Sequence, residues 1–167
     1  MNSKLITMSL FMGLAPAILY NSQNGNTGTI GSKGSAVENT ADIKEEPVTY
    51  NVDGKNFNGY VTYDSKQQGK RPAVLVVHEW WGLNDYPRSR AKQLAQLGYI
   101  AMAVDMYGDG KTGDDPKSAQ ALATPYYKDP TLSKIRLDAA IAKLKTFPQT
   151  DTSKMAAIGY AMVGLLF

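Results

Sequence analysis

Three apolar runs mark the centre of the chain and predict buried strands. They cover residues 73–77, 99–104 and 155–159, and none of them alternates apolar with polar side chains. Short runs without alternation are typical of parallel strands whose two faces are both covered. We therefore expect an α/β fold with a largely parallel sheet.

Helical patterns connect these strands. Between the first two runs, Asn84 or Asp85 is a suitable N-cap and Gly98 a suitable end, and the apolar side is formed by Ala91, Leu94, Ala95 and Leu97. Strand, helix and strand in this order predict a parallel crossover. Before the third run we expect a short helix over residues 116–123 and a longer one that starts at Asp129 or Thr131 and ends at Pro148. The apolar side of the longer helix comprises Ile135, Ala139, Ala140, Ile141, Leu144 and Phe147.

Two β-rich segments precede the central strand. Residues 48–52 and 58–63 flank Asp53-Gly54, a dipeptide that favours a tight hairpin because both positions tolerate a positive φ. Turns are expected at residues 65–71 and again at 150–153, just before the third buried run. The hairpin and the parallel strands together predict a single folded domain over residues 47–167.

The first 46 residues have a different composition. Residues 1–20 combine Lys4, an apolar segment and Ala15-Pro16-Ala17, a pattern that favours a cleavable export signal and a periplasmic or secreted protein. A buried helix or a membrane anchor is the alternative, but the apolar segment is short and Pro16 interrupts it, so no stable membrane span is expected. Residues 21–46 are rich in Asn, Ser, Gly and Thr and predict a flexible linker.

Charge and cysteine content exclude several kinds of function. The formal charge of +3 is scattered, which argues against a nucleic-acid partner. The absence of cysteine excludes disulfides, thiolate metal sites and a cysteine nucleophile in these 167 residues. Asp105 and Asp109 are a weak metal pattern, and ordering of its own loop is the simpler role for Asp105. No metal or other cofactor is expected.

Chemistry-bearing residues follow the first two buried strands directly. His78, Glu79, Trp80, Trp81 and Gly82 come after the first, and a Gly-rich acidic segment, 105–110, comes after the second. In open α/β sheets, ligands bind beyond the carboxyl ends of the strands. These segments are therefore the candidate site, with His78 interpreted as a packed or hydrogen-bonded structural residue.

This order of parts resembles the dienelactone hydrolase family, a branch of the α/β-hydrolase fold. The resemblance covers residues 47–160 and rests on VLVVHEWWGLNDYPRSRAKQLAQLGYIAMAVDMYGDGK and KMAAIGY. It implies the N-terminal part of an α/β-hydrolase sheet, incomplete at the C-terminus. It also implies hydrolysis of a lactone or a small ester through a cysteine nucleophile and an acyl-thioester.

The resemblance assigns site residues by position. Glu79 matches the glutamate beside the family's nucleophilic thiol, and Ala161 stands where the cysteine of the G-x-C-x-G turn is expected. The backbone amides of Trp80 and Met162 correspond to the two oxyanion donors, and the Trp81 side chain is expected to line the substrate pocket. The family's substrate-binding arginine has no clear counterpart, and we expect solvated roles for Arg88, Arg90 and Arg136.

The departures from the family pattern predict an inactive chain. Ala161 carries no nucleophile, Val163 replaces the small residue of the turn, and the family's later Asp and His do not appear. Deletion of one nucleotide in a sequence encoding GYCYGGTAVL would give GYAMVGLLF, the residues at 159–167, which suggests a frameshift; a naturally diverged short relative is the alternative. An exported non-catalytic binding or interaction protein is the competing function. A sheet cut after its third buried strand would leave an open edge, so self-association is expected.

Overall fold

The computed structural model describes residues 41–159, which form a five-stranded sheet with helices on both faces. The strands are β1 (Ile43–Val52), β2 (Lys55–Asp64), β3 (Arg71–Val77), β4 (Ile100–Val104) and β5 (Thr150–Gly159). The helices are α1 (Asp85–Gln96), α2 (Pro116–Lys128) and α3 (Pro130–Lys145). The predictions for residues 1–40 lie outside the described residues.

The sheet has the order β1-β2-β4-β3-β5. β1 and β2 form the predicted hairpin around Asp53-Gly54, and β2 pairs antiparallel with β4. β3 lies between β4 and β5 and is parallel to both. This arrangement confirms the predicted α/β class with a hairpin followed by parallel strands.

The core has two layers because alternate side chains of β3 face opposite helices. Leu75 and Val77 belong to the larger layer, beneath α2 and α3, and both are fully buried. Val76 belongs to the smaller layer, where Ala91 of α1 packs on the other face of the sheet. The continuous apolar run in β3 is thus explained by two covered faces.

Two element boundaries differ from the prediction. β1 begins at Ile43, before the predicted domain start at Pro47, because its pairing with β2 continues to Ile43 opposite Asp64. α2 extends to Lys128 because buried Tyr126 continues its apolar face beyond Ala123.

β5 and two apolar side chains also depart from expectation. The residues predicted as a turn, 150–153, lie inside β5, where the register shifts so that Pro72 pairs with Asp151 but Ala73 pairs with Met155. Leu97, predicted on the apolar side of α1, is 74% exposed because it follows the last helical residue. Ile135 of α3 is 42% exposed because the buried positions of this helix are Ser133, Leu137, Ala140 and Leu144.

Candidate functional site

The candidate site lies at the carboxyl edge of the parallel strands. Val77 at the end of β3 pairs with Val104 of β4 on one side and with Gly159 of β5 on the other. The segments after Val77 and Val104 therefore leave the sheet side by side, and β5 ends next to them at Gly159. Ala161 and Met162, predicted to belong to the site, lie outside the described residues, and their assignments stay predictions.

His78 connects the ends of β3 and β4. Its side chain is fully buried, Nε2 accepts a hydrogen bond from the Met106 N–H at 3.2 Å, and Nδ1 lies 2.5 Å from the Glu79 carbonyl oxygen. Since Nε2 accepts, the neutral ring carries its proton on Nδ1 and donates it to Glu79. Burial lowers the pKa of His78, which favours this neutral form. Both nitrogens are occupied, in agreement with the structural role predicted for this residue.

The segment after His78 turns sharply and presents Glu79, Trp80 and Trp81 at the sheet edge. All three side chains are partly exposed, and the two indole rings lie 5.0 Å apart at an angle of 60°. The turn depends on Gly82, whose φ is +92° and whose hypothetical Cβ would lie 2.5 Å from the Lys111 carbonyl oxygen. A side chain at position 82 would therefore push the two loops apart.

Asp105 organises the loop after β4. Its buried carboxylate accepts four backbone hydrogen bonds: Oδ1 from Tyr107 and Gly108 at 3.0 and 2.8 Å, and Oδ2 from Asn58 and Gly110 at 3.1 and 3.0 Å. Loop ordering by Asp105, as predicted from the sequence, accounts for both oxygens. Asp109 is exposed, and residues 41–159 contain no cluster of three or more His, Asp or Glu side chains able to hold a metal ion.

Side chains from distant segments bind the carbonyl groups of the same loop. The Tyr50 hydroxyl donates to the Asp105 carbonyl at 3.2 Å, and the Tyr126 hydroxyl donates to the Met106 carbonyl. The Lys55 Nζ lies 2.6 Å from the Tyr107 carbonyl oxygen. Burial is the main cause of the raised pKa of Tyr50 and of Tyr126, so both phenols remain protonated donors. These tyrosines could not be identified from the sequence, because their contacts join chain segments far apart in sequence.

Tyr107 joins the two loops. Its hydroxyl donates to the Trp80 carbonyl at 2.9 Å, and its ring meets the His78 ring edge-on at a centroid distance of 4.7 Å. The Gly113 N–H adds a bond of 2.9 Å to the Trp81 carbonyl. The backbone around Glu79 and Trp80 is thus fixed by groups that follow β4.

Two of the three arginines predicted to be solvated are instead packed. The Arg136 side chain is 13% exposed and lies 4.6 Å from the centre of the Phe57 ring, because the β1–β2 hairpin covers that side of α3. Arg88 is 29% exposed and pairs with Glu45 at 2.5 Å. Arg90 lies on α1, where it donates to the Tyr86 hydroxyl.

In the part of the chain that the structure describes, no helix has the length and apolar character needed to cross a bilayer.

Comparison with known proteins agrees with this architecture. The sequence model of the dienelactone hydrolase family matches residues 57–167. The chain belongs to the dienelactone hydrolase family. Protein usf of Aquifex pyrophilus is 33% identical over 125 residues, which make up 71% of this chain and 52% of usf.

Solved structures of the dienelactone hydrolase type share the fold. The dienelactone hydrolase-like promiscuous phosphotriesterase P91, from metagenomic libraries, is 35% identical, with a TM-score of 0.70 over 74% of this chain and 53% of its own. The structure named m3DLH is 33% identical, with a TM-score of 0.65 over the same shares. The chain thus spans about half the length of these relatives, and the family match over residues 57–167 includes β3, β4 and β5.

Proposed function

We propose that the chain carries one part of a lactone or small-ester hydrolase site and lacks its nucleophile. The observation that carries the proposal is the juxtaposition at the carboxyl edge: Glu79 and Trp80 closely follow the end of β3, and β5 pairs beside β3 and ends at Gly159, two residues before Ala161 in the sequence. The family membership supports a hydrolase, and the substrate class and the mechanism are inferred from the same resemblance.

In the mechanism implied by the family, a cysteine thiolate attacks the ester carbonyl carbon. The carbonyl π electrons move to oxygen, and the oxyanion is held by the backbone amides corresponding to Trp80 and Met162. Collapse breaks the bond to the leaving alcohol and forms an acyl-thioester, which water then hydrolyses to the acid and the free thiol. Glu79 occupies the position that helps to form the thiolate.

This chain does not supply the first step. Ala161 offers a methyl group where the sulfur is required, so no covalent intermediate can form at that position. His78 is the single histidine of the 167 residues and both of its ring nitrogens are already bonded. We infer that the chain as given does not turn over esters by the family mechanism.

An esterase assay tests this inference. Purified chain incubated with p-nitrophenyl acetate is expected to show no saturable release of p-nitrophenol above the buffer rate, and Glu79→Ala should behave identically. Saturable hydrolysis that Glu79→Ala abolishes would contradict the proposal. Ala161→Cys alone is expected to stay inactive, because Val163 still occupies a position where the family has a small residue and no free histidine is available to activate the thiol.

A binding protein is the second candidate function. It is favoured by the partly exposed Trp80–Trp81 pair, which gives the site edge an aromatic surface that needs no nucleophile. A small lactone or ester that raises the melting temperature without being hydrolysed would support this function. The matched control is Trp81→Ala, which should remove the shift, whereas Trp80 is avoided because it packs against the core.

We also propose that β5 mediates self-association. β3 pairs with one edge of β5, and among residues 41–159 no strand pairs with the other edge. An open strand edge can pair with a second chain. Sedimentation velocity is expected to show dimers or larger species, and a monomer at all concentrations would contradict this proposal.

A further inference from the structure

The carbonyl oxygen of the peptide between Glu79 and Trp80 accepts two hydrogen bonds. The Glu79 oxygen receives the His78 Nδ1–H at 2.5 Å and the Gly82 N–H at 3.2 Å. The described chain contains no cis peptide, so the Trp80 N–H points away from the Glu79 carbonyl across the same planar unit. The groups that fix the carbonyl therefore also fix the direction of the Trp80 N–H.

His78 is rigid enough to set this direction. It is fully buried, its second nitrogen is bonded to the Met106 N–H, and Tyr107 packs against its ring. The Tyr107 hydroxyl binds the carbonyl of the next peptide, that of Trp80. Two successive peptides of the turn are thus held by side chains that are themselves anchored to the loop after β4.

We propose that His78 is the positioning residue for the Trp80 amide, orienting it as an oxyanion donor; its use as a donor rests on the proposed function. The Nδ1–H bond to the Glu79 carbonyl polarises the peptide and strengthens the opposite N–H as a donor. A preorganised donor needs no reorientation when negative charge develops on the substrate oxygen. His78 therefore acts through a peptide bond rather than as an acid or base.

Two substitutions separate orientation from packing. In His78→Asn the side-chain amide nitrogen takes the place of Nδ1 and can still donate to Glu79. In His78→Gln the side chain reaches the place of Nε2 and can bond Met106, but it offers no donor near Nδ1. His78→Phe removes both bonds and keeps an aromatic ring in the core.

The readout is the backbone amide signal of Trp80 in ¹⁵N-labelled full chain, measured in solution or, if the chain self-associates, in the sedimented solid. His78→Asn is expected to keep the wild-type Trp80 amide shift. His78→Gln and His78→Phe should displace it. In the wild type, the ring ¹⁵N shifts should show a protonated Nδ1 and an unprotonated Nε2.

The controls separate this inference from loss of the fold and from the proposed function. Amide signals of residues 43–46 and 61–64, which pair with each other toward the amino end of β4 and away from His78, should be unchanged in all variants that fold. A Trp80 signal that stays unchanged in His78→Gln, or that moves as much in His78→Asn as in His78→Phe, would overturn the inference. The measurement uses no turnover, so the esterase assay can fail or succeed independently of it.

Discussion

Two buried charges of opposite sign, Asp105 and Arg71, lie at opposite edges of the sheet. At the carboxyl edge, the Asp105 carboxylate accepts four backbone N–H groups. At the amino edge, the Arg71 guanidinium is 1% exposed and donates to the carbonyls of Asp64 and Gln67, while its Nε has no partner. Among the described residues neither charge forms an ion pair, so peptide dipoles stabilise both.

The two sites differ in how many of their buried hydrogen-bonding groups have partners. Every oxygen of the Asp105 carboxylate has two donors, and the loop it holds is also bonded through its carbonyls by Tyr50, Tyr126 and Lys55. The Arg71 site leaves a buried donor unsatisfied, which costs free energy. The edge that carries the candidate site is therefore the more fully bonded of the two.

Replacement of Asp105 should give the largest effect. Asp105→Ala leaves four backbone N–H groups without their acceptor, and we expect a loss of about 3–5 kcal/mol in the free energy of unfolding, measured by urea denaturation. Asp105→Asn keeps one acceptor oxygen and should fall between wild type and Asp105→Ala. A loss below about 1 kcal/mol for Asp105→Ala would show that water replaces the carboxylate without penalty.

Replacement of Arg71 should cost less. Arg71→Met removes two charge-assisted bonds to carbonyls but keeps an apolar stem and abolishes the unpaired Nε, so we expect a loss of about 1–3 kcal/mol in the same urea experiment. Arg71→Lys is the control, since it keeps the charge but not the planar pair of donors. If Arg71→Met destabilised the chain more than Asp105→Ala, the proposed ranking of the two edges would be wrong.

Features that depend on residues close together in the chain could be predicted from sequence. The strands β3 and β4 and the cap of α1 at Asn84 were predictable because local patterns and local side-chain bonds determine them. Ordering of the loop by Asp105 was also predictable, since three of its four donors, Tyr107, Gly108 and Gly110, lie within the next five residues.

Long-range contacts could not be predicted in this way. Tyr50 lies 55 residues from its acceptor, and nothing in its local sequence indicates that contact. Arg136 was assigned to the polar side of α3, which is correct for an isolated helix but not beneath the hairpin that places Phe57 against it. The bulge of β5 depends on its register with β3 and has no local signal.

The pH dependence of the free energy of unfolding tests whether His78 is neutral and buried at the carboxyl edge. Burial lowers its pKa in the folded chain below the ordinary value near 6.5, so the unfolded chain binds the proton first as the pH falls. The full contribution of neutral His78 is present above about pH 6.5 and is lost below it, at up to about 1.4 kcal/mol per pH unit. The hydrogen bond to the Glu79 carbonyl and the neighbouring Asp105 charge oppose this lowering of the pKa without reversing it.

Urea denaturation between pH 7 and pH 5 measures this slope. His78 is the single histidine in the chain, and the carboxylates with lowered pKa, such as Glu45, lose their contribution at lower pH. His78→Asn should be flat over this interval. If the free energy of unfolding changed equally with pH in wild type and in His78→Asn, another group would be responsible and the prediction for His78 would be wrong.

The smallest expected effect concerns the link between the two loops. Tyr107→Phe removes the hydroxyl that donates to the Trp80 carbonyl and thus one hydrogen bond between the two loops. We expect a loss of about 0.5–1.5 kcal/mol. Tyr126→Phe is the matched control, because its hydroxyl also donates to one carbonyl, that of Met106, but joins α2 to the loop after β4 and does not link the two loops. If the carboxyl edge behaves as one bonded unit, Tyr107→Phe should disturb the amide signals of both loops, whereas an effect confined to Trp80 would show that the two loops are ordered independently.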